Sequence, residues 1–250
     1  MQQTEQLYKT CLQRIANILM INGGFLDNPG LYTGEMGLVL FFFRYARFTQ
    51  NELYSDYGFD LIEKLQCGMD EGARIGYRQG LTGIGSAIEY LVQSGFVEAD
   101  TDDILAEFDE RIFSECNMPY YSLDELLGIG QYIVRRMSGK SVKKDAILKT
   151  VLPKVVHFIG KDCTFDLHDS LKNPARYCLN GDNNPYRLES KTYSRLLEQF
   201  TKNDSFDINV FNLGIQNGLA GLGLCLLTSL DGDGSWASLF DQDLQDLIKK

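Results

Sequence analysis

Several things are scarce in this sequence, and each scarcity excludes something. Histidine occurs twice, at His157 and His168, and tryptophan once, at Trp236. The six cysteines, at positions 11, 67, 116, 163, 178 and 225, never form Cys-x-x-Cys, and Cys11 and Cys225 fall in apolar helical patterns. With a polar start from Met1 to Lys9 rather than a signal-like one, this predicts a cytoplasmic protein with reduced thiols. The longest apolar run, Gly37 to Phe43, is far too short to span a bilayer. Positive charge is in deficit, with 24 Lys and Arg against 34 Asp and Glu and a formal net charge of −10. That opposes non-specific nucleic-acid binding and favours a neutral or cationic partner, although acidity also serves solubility. No strand-like alternation and no low-complexity linker stand out. Residues 1–250 therefore read as one domain, long enough to bury a sizeable core.

What the sequence does contain is a repeat. Gly34-x-x-Gly37, Gly80-x-x-Gly83 and Gly218-x-x-Gly221 each open an apolar run, and Glu125-x-x-Gly128 does so with its first glycine replaced. The second glycines are 46, 45 and 93 residues apart, so the last interval holds two periods and one copy, near 172–180, has lost its signature. A period of about 45 identifies a repeat architecture. Counting from the second glycine, position +1 is Leu38, Ile84, Ile129 and Leu222. Position +4 is Phe41, Ala87, Tyr132 and Cys225, and position +5 is Phe42, Ile88, Ile133 and Leu226. Those offsets share one helix face. Each copy predicts a glycine-rich start followed by a buried helix, with glycine allowing close backbone approach at some cost in helix stability.

Between these copies lie amphipathic helices. One is predicted at about 4–21, one at 52–67 and one from Thr101 through Phe113, opened by acids at its positive end. Others are predicted at about 143–159, which Pro153 would kink, and at 190–200. Residues 160–190 are irregular, and Trp236 to Lys250 reads as a short acidic tail. Helix pairs at this period predict an all-α solenoid or closed α/α toroid.

Leu31-Tyr-Thr-Gly-Glu-Met-Gly37, Gly80-Leu-Thr-Gly-Ile-Gly85 and Gly218-Leu-Ala-Gly-Leu-Gly223 resemble the glycine motifs of the lanthionine synthetase C-like family, the cyclases of lanthipeptide biosynthesis. Leu213 to Leu230 is similar to that family's closing repeat, and the likeness extends over about residues 25–240. The resemblance implies an α/α toroid with the glycine-started helices innermost, while this chain has room for about five helical hairpins, fewer than active members use, which predicts a small toroid or an incomplete α/α ring. It also implies, for active members, a zinc ion held by Trp-Cys-x-Gly and Cys-His-Gly motifs, which activates a peptide thiol for addition to a dehydroamino acid. Neither motif occurs here. The nearest counterparts are Gln216-Asn217-Gly218 and Tyr177-Cys178-Leu179-Asn180-Gly181. The leading expectation is a shortened member without the zinc site, binding a peptide or protein partner in peptide modification rather than cyclising it, with no cofactor.

Two enzymatic alternatives remain open. Cys163, His168 and Cys178 could hold zinc in the irregular stretch and retain thiol addition, or serve as ordinary structural residues. Glu35, Asp124 and Glu125, near helix starts, could act as the carboxylates of a glycoside-processing toroid, or simply complement helix dipoles. For peptide binding, Tyr32, Tyr77, Tyr120, Tyr121 and Phe211 precede inner helices and would form an aromatic rim, joined by Arg78, Gln216 and Asn217. Packing between loops is the other reading of those rings. An open ring would expose apolar surface and favour a homo-oligomer or a partner.

Overall fold

The computed structural model describes residues 2–68, 74–114, 121–139, 151, 154–155, 190–202 and 212–240. Among these the chain is helical, without strands apart from one isolated bridge between Asn212 and Gly218. The helices are α1 (Gln2–Asn22), α2 (Glu35–Thr49), α3 (Glu52–Gly68), α4 (Leu81–Gln93), α5 (Thr101–Ile104), α6 (Ala106–Ser114), α7 (Leu123–Ser138), α8 (Ser190–Lys202) and α9 (Leu219–Asp231). Among the described residues, no helix is long and apolar enough to cross a membrane. The chain divides into two compact units, one of Met1–Glu71 with Arg187–Lys250 and one of Gly72–Tyr186.

In the first unit α2 packs against α3 and α9, and α9 packs also against α1 and α8. The reason is compositional. Leu38 to Phe43 are apolar without interruption and all buried, and a helix apolar on every side must be enclosed. Helices α1 and α3 bury one stripe each, with Leu12, Ile15 and Leu19 of α1 and Leu61 and Leu65 of α3 turned inward. Helices α2 and α9 carry the first and last glycine motifs and pack together within this unit. Ile215 lies where a Cβ on Gly37 would meet it at 3.1 Å, and Phe41 fills the space beside Gly223.

In the second unit α4 packs against α7, with α5 and α6 against α4. The shared helix face is confirmed in both units. At +1, +4 and +5 every residue is buried except Ile88 and Cys225, which are half-buried.

Buried arginines fasten the far ends of these helices. Arg136, fully buried on α7, bonds Glu89 of α4 (2.7 Å), Asp102 of α5 (2.7 Å) and Asp109 of α6 (2.8 Å). The Tyr132 hydroxyl donates to Asp109 as well (2.6 Å). Burial alone would favour neutral Arg136, but its bonds to Asp109 and Glu89 more than offset that and hold it protonated. In the first unit, buried Arg44 of α2 pairs with Asp231, the last residue of α9 (3.0 Å), and with Asp233 just past it (2.7 Å).

Two details differ from the sequence-based expectation. The helix expected from Thr101 through Phe113 is broken at Leu105, whose side chain is wholly buried, so that α5 and α6 are separate. The acidic tail is structured at its start. Ser235–Leu239 form a 3-10 helix, and Trp236 is fully buried with its indole N–H donating to the Thr228 hydroxyl (2.9 Å). An acidic average over residues 236–250 hid one large apolar anchor. The eroded copy at 172–180 and most of the helix expected at 143–159 lie outside the described residues.

Candidate functional site

The glycine motifs build one backbone device three times. The first free N–H of α2, α4 and α9 belongs to Glu35, Leu81 and Leu219. Each donates, at 2.8 Å, to the carbonyl seven residues earlier, at Asn28, Arg74 and Asn212. The next N–H groups, of Met36, Thr82 and Ala220, donate to Pro29 (3.3 Å), Ile75 (3.2 Å) and Leu213 (3.1 Å). The loop thus folds back and caps the helix with its own carbonyls, a task usually left to side chains or water. This explains the first glycine of each pair. A Cβ at Gly34 would sit 2.1 Å from the Asn28 oxygen, and one at Gly80 would sit 2.1 Å from that of Arg74. A third glycine, four residues before the first of each pair, completes the pattern at Gly30, Gly76 and Gly214. That spacing, Gly-x3-Gly-x2-Gly, was available in the sequence and is a sharper signature than the pair alone.

Helix α7 is capped differently. The Ser122 hydroxyl accepts from the Glu125 N–H (3.3 Å), and Glu125 accepts from the Ser122 N–H (2.9 Å), a capping box. The glutamate in place of the first glycine therefore has a local structural reason.

The structure places the sequence-predicted residues unevenly. Tyr32 is fully buried, its ring edge-on to Phe240 at 5.0 Å, and Tyr77 is buried too, so neither ring offers a rim surface. Burial pushes the Tyr77 hydroxyl pKa up, against the pull of Arg135 and Ser86. Both belong to the core because the folded-back loop turns them inward: the Tyr32 carbonyl accepts the N–H groups of Ile215 and Gln216, both at 2.8 Å. Glu35 is buried and ion-paired with Lys64, which also donates to the carbonyls of Gly24 and Leu26 (2.9 Å each). Gln216 is half-buried and Asn217 exposed, the latter with a left-handed backbone (φ 55°). Tyr121 is half-buried, and Asp124 lies in the first turn of α7. Glu35 and Glu125 belong to different units, each engaged within its own. Tyr120, Phe211, Cys163, His168 and Cys178 lie outside the described residues.

Arg78 and Glu125 do come together. Within the second unit they line a cavity of about 410 Å³ between the starts of α4 and α7. Arg74, Gln79 and the backbone of Gly80 form one wall with Arg78, and Ser122 stands beside Glu125 on the other. Sequence reasoning missed Arg74, Gln79 and Ser122. Arg74 had a positional signal, since it stands six residues before its glycine, where Asn28 and Asn212 stand before theirs. The capping carbonyl at that position is common to all three, but in the first unit the side-chain oxygens of Asn28 and Asn212 also accept the N–H groups of Gly30 (2.9 Å) and Gly214 (2.8 Å), a bond that arginine, with no acceptor, replaces with positive charge.

Zinc of the kind expected from a cyclase does not fit the described residues. Gln216 and Asn217 offer amides instead of thiolate and imidazole. The Cys225 thiol is pushed up to about 12 by burial, and Cys11 is raised for the same reason, so neither is poised as a thiolate. Among the described residues, no three His, Cys, Asp or Glu side chains group as metal ligands.

The sequence profile of the lanthionine synthetase C-like protein family matches residues 26–162, just over half of the chain. No curated protein and no solved structure matches it.

Proposed function

Because this chain belongs to the lanthionine synthetase C-like family, we propose that it binds a peptide or protein partner in peptide modification and does not itself form thioethers. The observation that supports this most is the cavity between the starts of α4 and α7. It is polar, arginine-bearing and of the size that takes a small ligand or a few side chains. Two sequence facts point the same way: neither Trp-Cys-x-Gly nor Cys-His-Gly occurs, while the glycine-started repeat is retained. The protein would act as a holder or presenter of a peptide within a cytoplasmic assembly.

The test uses a dehydrated peptide containing one cysteine, incubated with the protein under reducing conditions with zinc supplied. Thiol addition leaves the mass unchanged, so the readout is alkylation of the remaining free thiol. The reading predicts that the thiol persists and that the peptide is retained by the protein in a spin-column assay. Loss of the thiol at a rate dependent on the protein would overturn it.

A further inference from the structure

The cavity in the second unit has a chemical bias that narrows its ligand. Its charged lining consists of Arg74, Arg78 and Glu125, an excess of one positive charge in a chain whose formal net charge is −10. Arg78 is half-buried, which lowers the effective dielectric around it relative to a surface lysine or arginine. A guanidinium presents its donors as a planar fork that matches a carboxylate in two parallel hydrogen bonds. Gln79, exposed beside the arginines, carries both an amide donor and an acceptor, the complement of a peptide unit.

Glu125 sets the second limit. Its carboxylate is held in place by the Ser122 N–H (2.9 Å) and hydroxyl (2.8 Å) and remains part of the wall. A ligand with two negative charges, such as a phosphate, would face that carboxylate as well as the arginines. A ligand with one carboxylate followed by N–H donors meets attraction at both walls. The helix dipoles do not decide the matter, because the first N–H groups of α4 are already occupied by the Arg74 and Ile75 carbonyls.

We infer that this cavity takes a peptide carboxylate, with Arg78 and Arg74 on the anionic group and Gln79 on the adjoining amide. This rests on the peptide-binding reading above and specifies which peptides satisfy it. The carboxylate could come from an acidic side chain or from a free C-terminus, and the two sources are separable by experiment.

The experiment is fluorescence polarisation with the full chain and four labelled short peptides. One is glutamate-rich with blocked ends, the second is its glutamine twin, the third is the glutamine twin with a free C-terminus, and the fourth is lysine-rich. Inorganic phosphate serves as competitor. The inference predicts that the glutamate peptide or the free-C-terminus peptide binds about tenfold more tightly than the blocked glutamine twin, equivalent to about 1.4 kcal/mol. Which of the two binds identifies the source. It also predicts that affinity falls as salt is raised, that phosphate competes poorly, and that Arg78→Gln removes most of the preference while Arg78→Lys keeps part of it. Arg74→Gln gives a smaller loss, and unchanged thermal unfolding of each variant certifies its fold. Equal binding of charged and blocked neutral peptides, or a preference that survives Arg78→Gln together with Arg74→Gln, overturns the inference but leaves peptide binding intact. Binding of none of the four overturns both.

Discussion

The starts of α2 and α9 in the first unit and of α4 in the second use the same backbone and reach opposite ends. All three fold a loop back so that its carbonyls cap the helix, with matching 2.8 Å bonds at the first turn. In the first unit the two loops dock on each other. The Tyr32 carbonyl accepts N–H groups from Ile215 and Gln216, Gly214 sits against the Thr33 backbone, and Glu35 is held by Lys64, so backbone bonds and an ion pair seal the helix starts. In the second unit the loop faces a capping-box helix instead, and its arginines line open space. Glycine spacing therefore specifies the loop and the fold, while the side chains between the glycines decide whether the loop packs or binds.

The far ends of the helices give the largest expected difference. Arg136 is bonded to three carboxylates, two of them nearly inaccessible to water, so Arg136→Met leaves buried negative charge uncompensated. We expect a loss of about 3–5 kcal/mol, seen as a lower denaturant midpoint and as faster amide exchange in α4 and α7. Arg44→Met should cost less, about 1–2 kcal/mol, because Asp231 and Asp233 remain 28 % and 40 % exposed and can be rehydrated. Equal losses would mean that burial does not separate the two clasps.

Next comes the cap itself. Gly218→Ala places a Cβ 2.3 Å from the Gly214 oxygen and must displace the capping loop, at a cost of about 2–3 kcal/mol. Gly24→Ala, where nothing lies within 4 Å, should be neutral within about 0.5 kcal/mol. Ser122→Ala, which removes the side-chain cap of α7, should cost about 1 kcal/mol. Thermal unfolding of the three variants orders them. A Gly218→Ala change as mild as Gly24→Ala would refute the account of the glycine.

The smallest effect is on acid stability. Burial pushes the Asp233 carboxyl up, but bonds from the Ser235 N–H and hydroxyl and the Arg44 charge outweigh it and leave the pKa below its ordinary 3.8. A carboxyl depressed on folding stabilises above its unfolded pKa and loses that contribution as pH falls through the folded value. Asp233→Asn should therefore lower stability at neutral pH slightly and flatten its decline below pH 3.8, read from unfolding midpoints across acid pH.

Much of this fold was legible in advance, and the reasons are specific. The 46- and 45-residue spacings of Gly37, Gly83 and Gly128 set the repeat, and the shared +1, +4 and +5 positions set the buried face. Helical periodicity survives because it is a local property of the chain. The site was less legible. Tyr32 and Tyr77 looked like a rim from their place before the helices, but the returning carbonyls turn that part of the loop inward, a geometry that no composition reveals. Arg74 and Ser122 were missed because their role depends on two loops from adjacent copies coming together. Trp236 was averaged into an acidic tail, although a lone tryptophan that close to an apolar helix is itself a packing signal.

The contrast between sealed and open helix starts is tested most directly by hydrogen exchange with and without the tightest-binding of the labelled short peptides. The account predicts that added protection falls on residues 74–80 and 121–125, with residues 28–34 and 212–218 unchanged. Protection confined to 28–34 and 212–218 would contradict it, because the binding surface would then lie where the structure packs its loops shut.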